Sequence, residues 1–533
     1  MSRRSRGIAA AGYAVASFLS FPQAVGGGAL DLGLVFAPLG PLLLILALAG
    51  LPLRRAAALG FAAGLAAHAA ILHWIYVVTV VYGHGAPAIG VIAVLLLAGF
   101  VAGFTALFAA GAAWLEARRL AAAPTLAALW VAVDHLRGFA FTGFPWATLG
   151  YAWHGNGALL ALVPWTGVYV LSFVAVLAGA GAADVLRGRP RRGIAALVAV
   201  CALHGAGLAL GAEAGASRPE TLRLAVLQGN IEQGVKWSTD WADRTWEIYA
   251  SLTRAAVAQG ARVVVWPETA VPGSPDADLD LRSRLSELAR SSGATLVAGA
   301  VGVDGFDPVT ESAIGPVRFY DSAFLIAPDG TFEERYDKAH LVPFGEYVPL
   351  RWLLGRFVKA IATGVTTGDV TAGAGPRALP LLPGAGAGSS ERVSAGVPIC
   401  YELLFPDLVR RFGGDGARVL LAITNDAWYG RTGAPYQFLA ITAMRAAETR
   451  TWVARAANTG VSAFIDERGR VRERTRIFER DFLVRDVPLR APGEEPTFYV
   501  RHGDVFAGAC WLWLAGALSR GLWRRRTAPR GAA

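Results

Sequence analysis

Apolar residues in this chain are gathered into stretches long enough to cross a bilayer, and that distribution limits the folds open to it. Charge is sparse from Gly7 to Gly211, returns at Arg218, and gives way again to an apolar stretch from Phe506 to Trp523. A helix needs about 20 mostly apolar residues to span hydrocarbon. Windows near that length run over residues 7–24, 32–51, 56–77, 88–113, 121–133, 159–185, 194–210 and 506–522; the fifth is the weakest, because Asp134, His135 and Arg137 interrupt its end. The expected organisation is a set of seven spans in residues 1–212, a water-soluble domain over 218–504, and an eighth span with a basic tail in 505–533.

The basic residues orient these spans. Short cytoplasmic loops are enriched in Lys and Arg, and here Arg3, Arg4 and Arg6 precede the first window, Arg54 and Arg55 follow the second, Arg118 and Arg119 the fourth, and Arg187, Arg189, Arg191 and Arg192 the sixth. The loops near Gly26–Gly28 and His84–Pro87 carry no Lys or Arg, and Arg520, Arg524, Arg525, Arg526 and Arg530 follow the last window. Both termini are therefore expected in the cytoplasm, with the soluble domain outside it and tethered at each end. A cleaved signal peptide is the rival reading of the first window; the unbroken succession of spans favours retention. The net charge of +10 does not signal nucleic acid, since the basic residues sit at span ends and form no single face. Three cysteines exclude a four-cysteine zinc site and a disulfide framework, and Cys201 and Cys510 lie in apolar windows, leaving Cys400 as the one thiol of the soluble domain. No cofactor or metal is expected.

Within the soluble domain, strand-like and helix-like runs alternate, which argues for an α/β fold: strands near 222–227, 262–266, 295–301, 419–423 and 452–456, and helices near 241–258, 279–290 and 436–449. Three reactive side chains close apolar runs, where α/β domains place their chemistry. Glu268 follows Val263-Val264-Val265-Trp266-Pro267, so its carboxylate is partly desolvated and suited to general-base work; the bland alternative is a helix cap. Lys338 lies in Asp337-Lys338-Ala339-His340-Leu341-Val342-Pro343-Phe344-Gly345-Glu346 and is suited to stabilising an oxyanion, the alternative being a surface ion pair with Asp337 or Glu346. Cys400 follows Val397-Pro398-Ile399 and precedes a helix-like run over 405–412, whose N-terminal dipole is expected to favour a thiolate. An isolated cysteine is more often a small buried hydrophobe, but the absence of a soluble partner thiol and the adjacent Glu402 point to a polar pocket.

Taken together, Trp266-Pro267-Glu268, the Asp337–Glu346 segment and Cys400-Tyr401-Glu402 resemble the nitrilase superfamily. With spans before and after the soluble domain, and with Gln228-Gly229-Asn230, Lys236-Trp237 and Thr424-Asn425-Asp426-Ala427-Trp428, the whole chain resembles the apolipoprotein N-acyltransferases. The resemblance implies an extracytoplasmic αββα sandwich joined to a polytopic helical membrane domain of about eight spans in the bacterial inner membrane. It implies transfer of an acyl chain from a phospholipid, chiefly phosphatidylethanolamine, to the N-terminal diacylglyceryl-cysteine of an apolipoprotein by a monomeric enzyme. Cys400 would be the nucleophile, Glu268 the base and Lys338 the oxyanion stabiliser. Trp237, Glu346, Tyr401 and Glu402 match positions around that centre, and Asn425 and Trp428 would frame the cavity. Asp321 departs from the pattern, which has Asn in many relatives.

The membrane anchoring suits such substrates, because each exposed CH2 of an acyl chain costs about 0.8 kcal/mol. Leu350, Leu353, Leu354, Phe357, Val358 and Ile361 recur at helical spacing and, with Arg351, Arg356 and Lys359, suggest an arm that dips into the bilayer, beside a Gly/Thr-rich lid over 363–375. The aromatic loop from Arg137 to Trp146 reads either as an interfacial belt or as a lipid access site shaped by Trp146. Two other functions remain open: a tethered amidase acting on a small amide, and a transporter with a regulatory soluble domain, the latter disfavoured by the scarcity of intramembrane charge.

Overall fold

The computed structural model describes residues 2–213, 220–234, 239–349, 370–383 and 392–527. Lys236 and Trp237, the arm over 350–361 and most of the 363–375 stretch lie outside these residues. Helices α1 (Arg3–Leu19), α2 (Gly33–Leu48), α3 (Leu53–Ile71), α4 (Pro87–Ala117), α5 (Ala123–Arg137), α6 (Tyr169–Leu186) and α7 (Pro190–Glu213) fall in the apolar windows, as does the C-terminal helix Val505–Thr527. Among the described residues, Pro87–Ala117, Tyr169–Leu186, Pro190–Ala212 and Val505–Trp523 are long and apolar enough to cross a membrane. The pair Leu53–Ile71 and Trp74–Tyr82, bent by 56°, makes a fifth if taken as one span, and Gly33–Leu48 is apolar but shorter. The sixth window is not one helix: Gly157–Leu160 and Val163–Thr166 are short turns, separated from α6 by Gly167 at φ +65°. A Cβ on Gly167 would stand 2.6 Å from the Tyr499 ring, so packing as well as backbone conformation requires the glycine there.

The two ends of the helical bundle differ in chemistry. At one end Arg6 donates to the Ala49 carbonyl (2.8 Å), the Gly50 N–H donates to Glu116 (3.0 Å), and Arg187 pairs with Glu116. The basic junctions before α1, after α2, after α4 and after α6 therefore share one end, in the arrangement that charge placement alone suggested. At the other end Arg137 and Asp134 pair at 3.1 Å as their helical spacing predicts, and Arg137 also donates to the Trp146 carbonyl at 2.6 Å. Asp134 accepts further bonds from Trp130 and Ser172. Sharing these partners offsets the cost of burying both charges.

The soluble domain contains two six-stranded sheets. The first is built from β1 (Thr221–Gln228), β2 (Val263–Val265), β3 (Thr295–Asp307), β4 (Ser312–Ile326), β5 (Phe332–Asp337) and the late strand Asp481–Pro488, which pairs with β1 at the sheet edge. β1, β2 and β3 are parallel, and β4 and β5 continue antiparallel. The second sheet holds β6 (Ala378–Leu381), β7 (Val393–Gly396), β8 (Val419–Thr424), β9 (Val453–Ala457), Ala463–Ile465 and Val471–Arg474, with β7, β8 and β9 parallel. Side chains alternate across each strand. Leu224, Val226, Val263 and Val265 thus join a core with Leu379, Ala395, Leu420 and Ala454 of the second sheet. Their neighbours Ala225, Leu227 and Val264 join Tyr249, Leu285 and Leu288 of helices α8 (Thr239–Ala258) and α9 (Leu279–Ser292).

The second sheet carries α10 (Pro406–Gly414) and α11 (Ala434–Thr449), and every residue of α11 is buried. This helix lies at the seam between the soluble domain and the helical bundle. Gln437 accepts from the Trp146 indole (2.8 Å) and donates to the Pro22 carbonyl (3.3 Å), while Tyr436 donates to the Gly27 carbonyl (3.4 Å). Further along, Arg445 pairs with Glu448 (3.1 Å) and donates to the Tyr151 hydroxyl (3.1 Å), and Glu448 accepts from the Val168 N–H (3.0 Å). Removing one member of a buried pair leaves an uncompensated charge and costs on the order of 3–5 kcal/mol. Glu448→Ala is accordingly expected to lower the melting temperature of the detergent-solubilised chain, and Arg445→Met with Glu448→Leu to recover most of the loss. Identical melting of Glu448→Ala and the parent would show that the pair does not hold the seam.

Candidate active site

Glu268, Lys338 and Cys400 each lie beyond a strand end, the first two in one sheet and the third in the other, and are buried, at 6%, 1% and 8% exposure. Glu268 follows β2 on a turn packed against β3. A Cβ on Gly299 would come within 2.2 Å of the Pro267 carbonyl and 2.8 Å of the Glu268 Cα, so the glycine makes room for the turn that aims the carboxylate. Thr269, next in the chain, has φ +45°. Lys338 directly follows β5, and its N–H donates to the Asp321 carbonyl of β4 at 2.9 Å.

Cys400 follows Ile399, which bridges to Ile423 at the end of β8, and it takes φ +46°. A non-glycine residue in that region costs on the order of 1–3 kcal/mol and persists only where its surroundings enforce it. Glu402 supplies the enforcement. Its fully buried carboxylate accepts from the Ile399 N–H (2.8 Å), the Ala339 N–H (2.7 Å) and the Tyr336 hydroxyl (2.8 Å), joining the segment that carries Cys400 to the one that carries Lys338. Burial nevertheless pushes the Glu402 carboxyl up to about 7, against the pull of these donors. The residue therefore joins the segments that carry Lys338 and Cys400 through their backbones.

The Lys338 ammonium is surrounded by carboxylates. It donates to Glu268 (3.0 Å), Asp321 (3.1 Å) and Glu346 (2.5 Å). One oxygen from each of these three acids lies within 4.8 Å of the others, and the lysine occupies the position a cation would take. Burial alone would favour loss of the ammonium proton, but Glu268, Glu346 and Asp321 together hold its acidity well below that of an ordinary lysine. Glu346 is itself fixed by the Val342 N–H (2.8 Å). For Cys400 the balance runs the other way: burial, then the negative charge of Glu268, push the thiol well above its ordinary range, with Lys338 opposing. The resting side chain is a thiol that requires a base. The expected helix-dipole activation is not observed, because Cys400 opens a 3-10 turn (Cys400–Leu404) and α10 does not begin until Pro406.

The site adjoins the helical bundle. Tyr401 donates to the Gly143 carbonyl (3.3 Å) in the loop after α5, and the His340 ring lies against Tyr401 and Phe405. Burial, reinforced by the Lys338 charge, holds His340 down at about 4, so its imidazole is neutral near pH 7. Trp146 is buried, at 1% exposure, and does not form an interfacial belt. Its ring packs with Trp74 (4.7 Å), Phe438 (5.6 Å) and Tyr429 (5.7 Å), and the negative charge that Cys400 would carry is felt at the Tyr429 hydroxyl. The exposed aromatics of the loop are Phe139 and Phe141, at 58% and 87%. Trp428 meets Tyr82 of the bent helix edge-on at 6.2 Å. Asn425 is buried beyond the end of β8. Its amide donates to Gln233 (2.9 Å) and accepts from Asn458 (3.1 Å), tying together strand ends of the two sheets. Trp237 lies outside the described residues. The sequence did not single out Tyr336 or Tyr429 as parts of this site; Tyr429 directly follows the noted Trp428, whereas Tyr336 is an unremarkable strand residue whose role depends on where Glu402 folds.

Comparison with known proteins matches residues 223–493 to the carbon-nitrogen hydrolase family and residues 14–181 to the apolipoprotein N-acyltransferase N-terminal domain. An apolipoprotein N-acyltransferase of Geobacter metallireducens is 37% identical over 482 residues, covering 87% of this chain and 86% of that protein. The corresponding protein of Nitrosomonas europaea is 35% identical over 480 residues, covering 89% and 90%. Among solved structures, a mutant of an amidase from Nesterenkonia AN1, of the nitrilase superfamily, has a TM-score of 0.38 at 19% identity, covering 55% of this chain and 98% of that one. The two domain matches and the near-full-length relatives agree, and the chain belongs to the apolipoprotein N-acyltransferase family.

Proposed function

We propose that the protein transfers an acyl chain from a phospholipid, with phosphatidylethanolamine as the preferred candidate, to the amine of an N-terminal diacylglyceryl-cysteine on an apolipoprotein. The observation that carries this reading is the burial of Glu268, Lys338 and Cys400 at the face of the soluble domain that meets the apolar helices, in a chain whose relatives are named for that activity. Glu268 takes the Cys400 proton as Sγ attacks the ester carbonyl, and Lys338 stabilises the oxyanion. The ester C–O bond breaks, Glu268 returns the proton to the departing lysophospholipid, and a thioester remains on Cys400. The acceptor amine then attacks that thioester and gives its proton to Glu268, the new amide forms, and the thiolate leaves and is reprotonated. One site serves two substrates in turn, which is ping-pong behaviour.

The same reading includes an αββα sandwich as the scaffold, eight spans, domain limits at 1–212, 218–504 and 505–533, a monomeric enzyme, and no cofactor. It places the protein in the bacterial inner membrane with both termini cytoplasmic and the catalytic domain periplasmic. Support comes from the basic junctions gathered at the bundle end opposite the catalytic domain.

Incubation of the full chain with phosphatidylethanolamine vesicles should add the mass of one acyl chain to Cys400. A diacylated lipopeptide should remove that mass, and Cys400→Ser should not acquire it. Hydrolysis of short amides without acylation by phospholipid would instead favour a tethered amidase. Gly299→Ala, which displaces the Glu268 turn, should slow acyl-enzyme formation at least about tenfold, the scale of a lost general base, while leaving the melting temperature within a few degrees. Unchanged acylation would remove Glu268 from the base role.

A further inference from the structure

The active site holds more negative charge than its one cation can balance. Glu268, Asp321 and Glu346 all point at Lys338, whose ammonium donates to each of them. With all three acids ionised, the buried group would carry two net negative charges beside the thiol that has to ionise. Asp321 is 7% exposed, on β4 opposite Val301 of β3. One of its oxygens faces Lys338, while the other, Oδ1, is buried with no hydrogen-bond donor among the described residues. Asp321 and Glu268 converge on the Lys338 ammonium, with an oxygen of each within 4.8 Å of the other. Two carboxylates this close, one with an unsatisfied oxygen, form a stable buried arrangement when a single proton lies between them.

We propose that Asp321 is a positioning residue that holds a proton in the resting enzyme and donates it in a hydrogen bond to the Glu268 carboxylate, orienting that base toward Cys400 and leaving the site with one net negative charge. This rests on the reading of Glu268 as the base for Cys400. Proton transfer from Cys400 to Glu268 then moves charge within the cluster without adding to it. The charged groups facing Asp321 are Lys338, Glu268 and Glu346. On the adjacent strand, Asp337 is occupied by Ser322 and Arg335. Burial, then the negative charge of Glu268, raise the Asp321 carboxyl well above the ordinary aspartate range, in agreement with the geometry, while Lys338 opposes. Loss of the proton at high pH would add a negative charge next to the thiol and hinder its ionisation.

The test measures iodoacetamide alkylation of Cys400 by peptide mass spectrometry, on the full detergent-solubilised chain between about pH 6 and pH 9, a range that brackets ordinary thiol ionisation. It needs neither acyl donor nor acceptor, so its result is separable from the acyltransfer assay. Asp321→Asn keeps a donor for Glu268 without a titratable proton. It should alkylate within about threefold of the parent at pH 7 and at least about fivefold faster at pH 9, where the parent gains the extra like charge. Asp321→Ala, which has no donor, should be about tenfold slower than Asp321→Asn at pH 7. Parallel pH profiles for the parent and Asp321→Asn would overturn the stored proton, as would a tenfold loss in Asp321→Asn at pH 7. Equal rates for Asp321→Ala and Asp321→Asn would overturn the positioning role.

Discussion

A buried lysine that keeps its proton is the constraint on which the catalytic centre depends. An ammonium at 1% exposure is stable only with anionic partners in contact, and Lys338 has three, from the turn after β2, from β4 and from the segment after β5. That requirement draws separate parts of the first sheet to one point. It also explains why Cys400 is a neutral thiol at rest: the acids that retain the ammonium oppose a second anion, and burial opposes any charge at all. In the proposed mechanism, activation is a proton transfer inside this cluster, where Glu268 already touches Lys338.

The geometry of that centre is held by backbone interactions as much as by charge. Cys400 occupies a left-handed conformation because Glu402 ties Ile399 to Ala339 and Tyr336, fixing the distance between the cysteine and lysine segments. Glu268 is aimed by a turn that fits only because Gly299 has no side chain. The three side chains are thus held in place by backbone contacts, which in the proposed mechanism is the condition for electrostatic stabilisation without reorganisation.

The seam with the membrane helices extends the same economy of polar groups. α11 supplies Gln437, Arg445 and Glu448 to the loops at one end of the bundle, while Tyr401 reaches Gly143 from beside the nucleophile itself. The bent helix contributes at the same place, with Trp74 against Trp146 and Tyr82 against Trp428. The residues around Cys400 and those at this end of the bundle consequently pack against one another.

The sequence by itself determined where the apolar helices and the α/β domain lie, because hydropathy and charge act locally and repeat with the period of the element. It also singled out Glu268, Lys338 and Cys400, since each closes an apolar run and the surrounding motifs resemble a known family; the structure buries all three. Local pattern misled where the outcome depended on a distant partner. The 159–185 window contains a break at Gly167, which packs against Tyr499, and Trp146 is buried against Gln437 instead of standing in an interfacial belt. Only the tertiary structure placed Asp321 and Glu346 on the same ammonium as Glu268 and assigned Glu402 to the joint between two segments. Those roles follow from desolvation and from convergence of residues far apart in the chain, and neither leaves a periodic signal in the order of the amino acids.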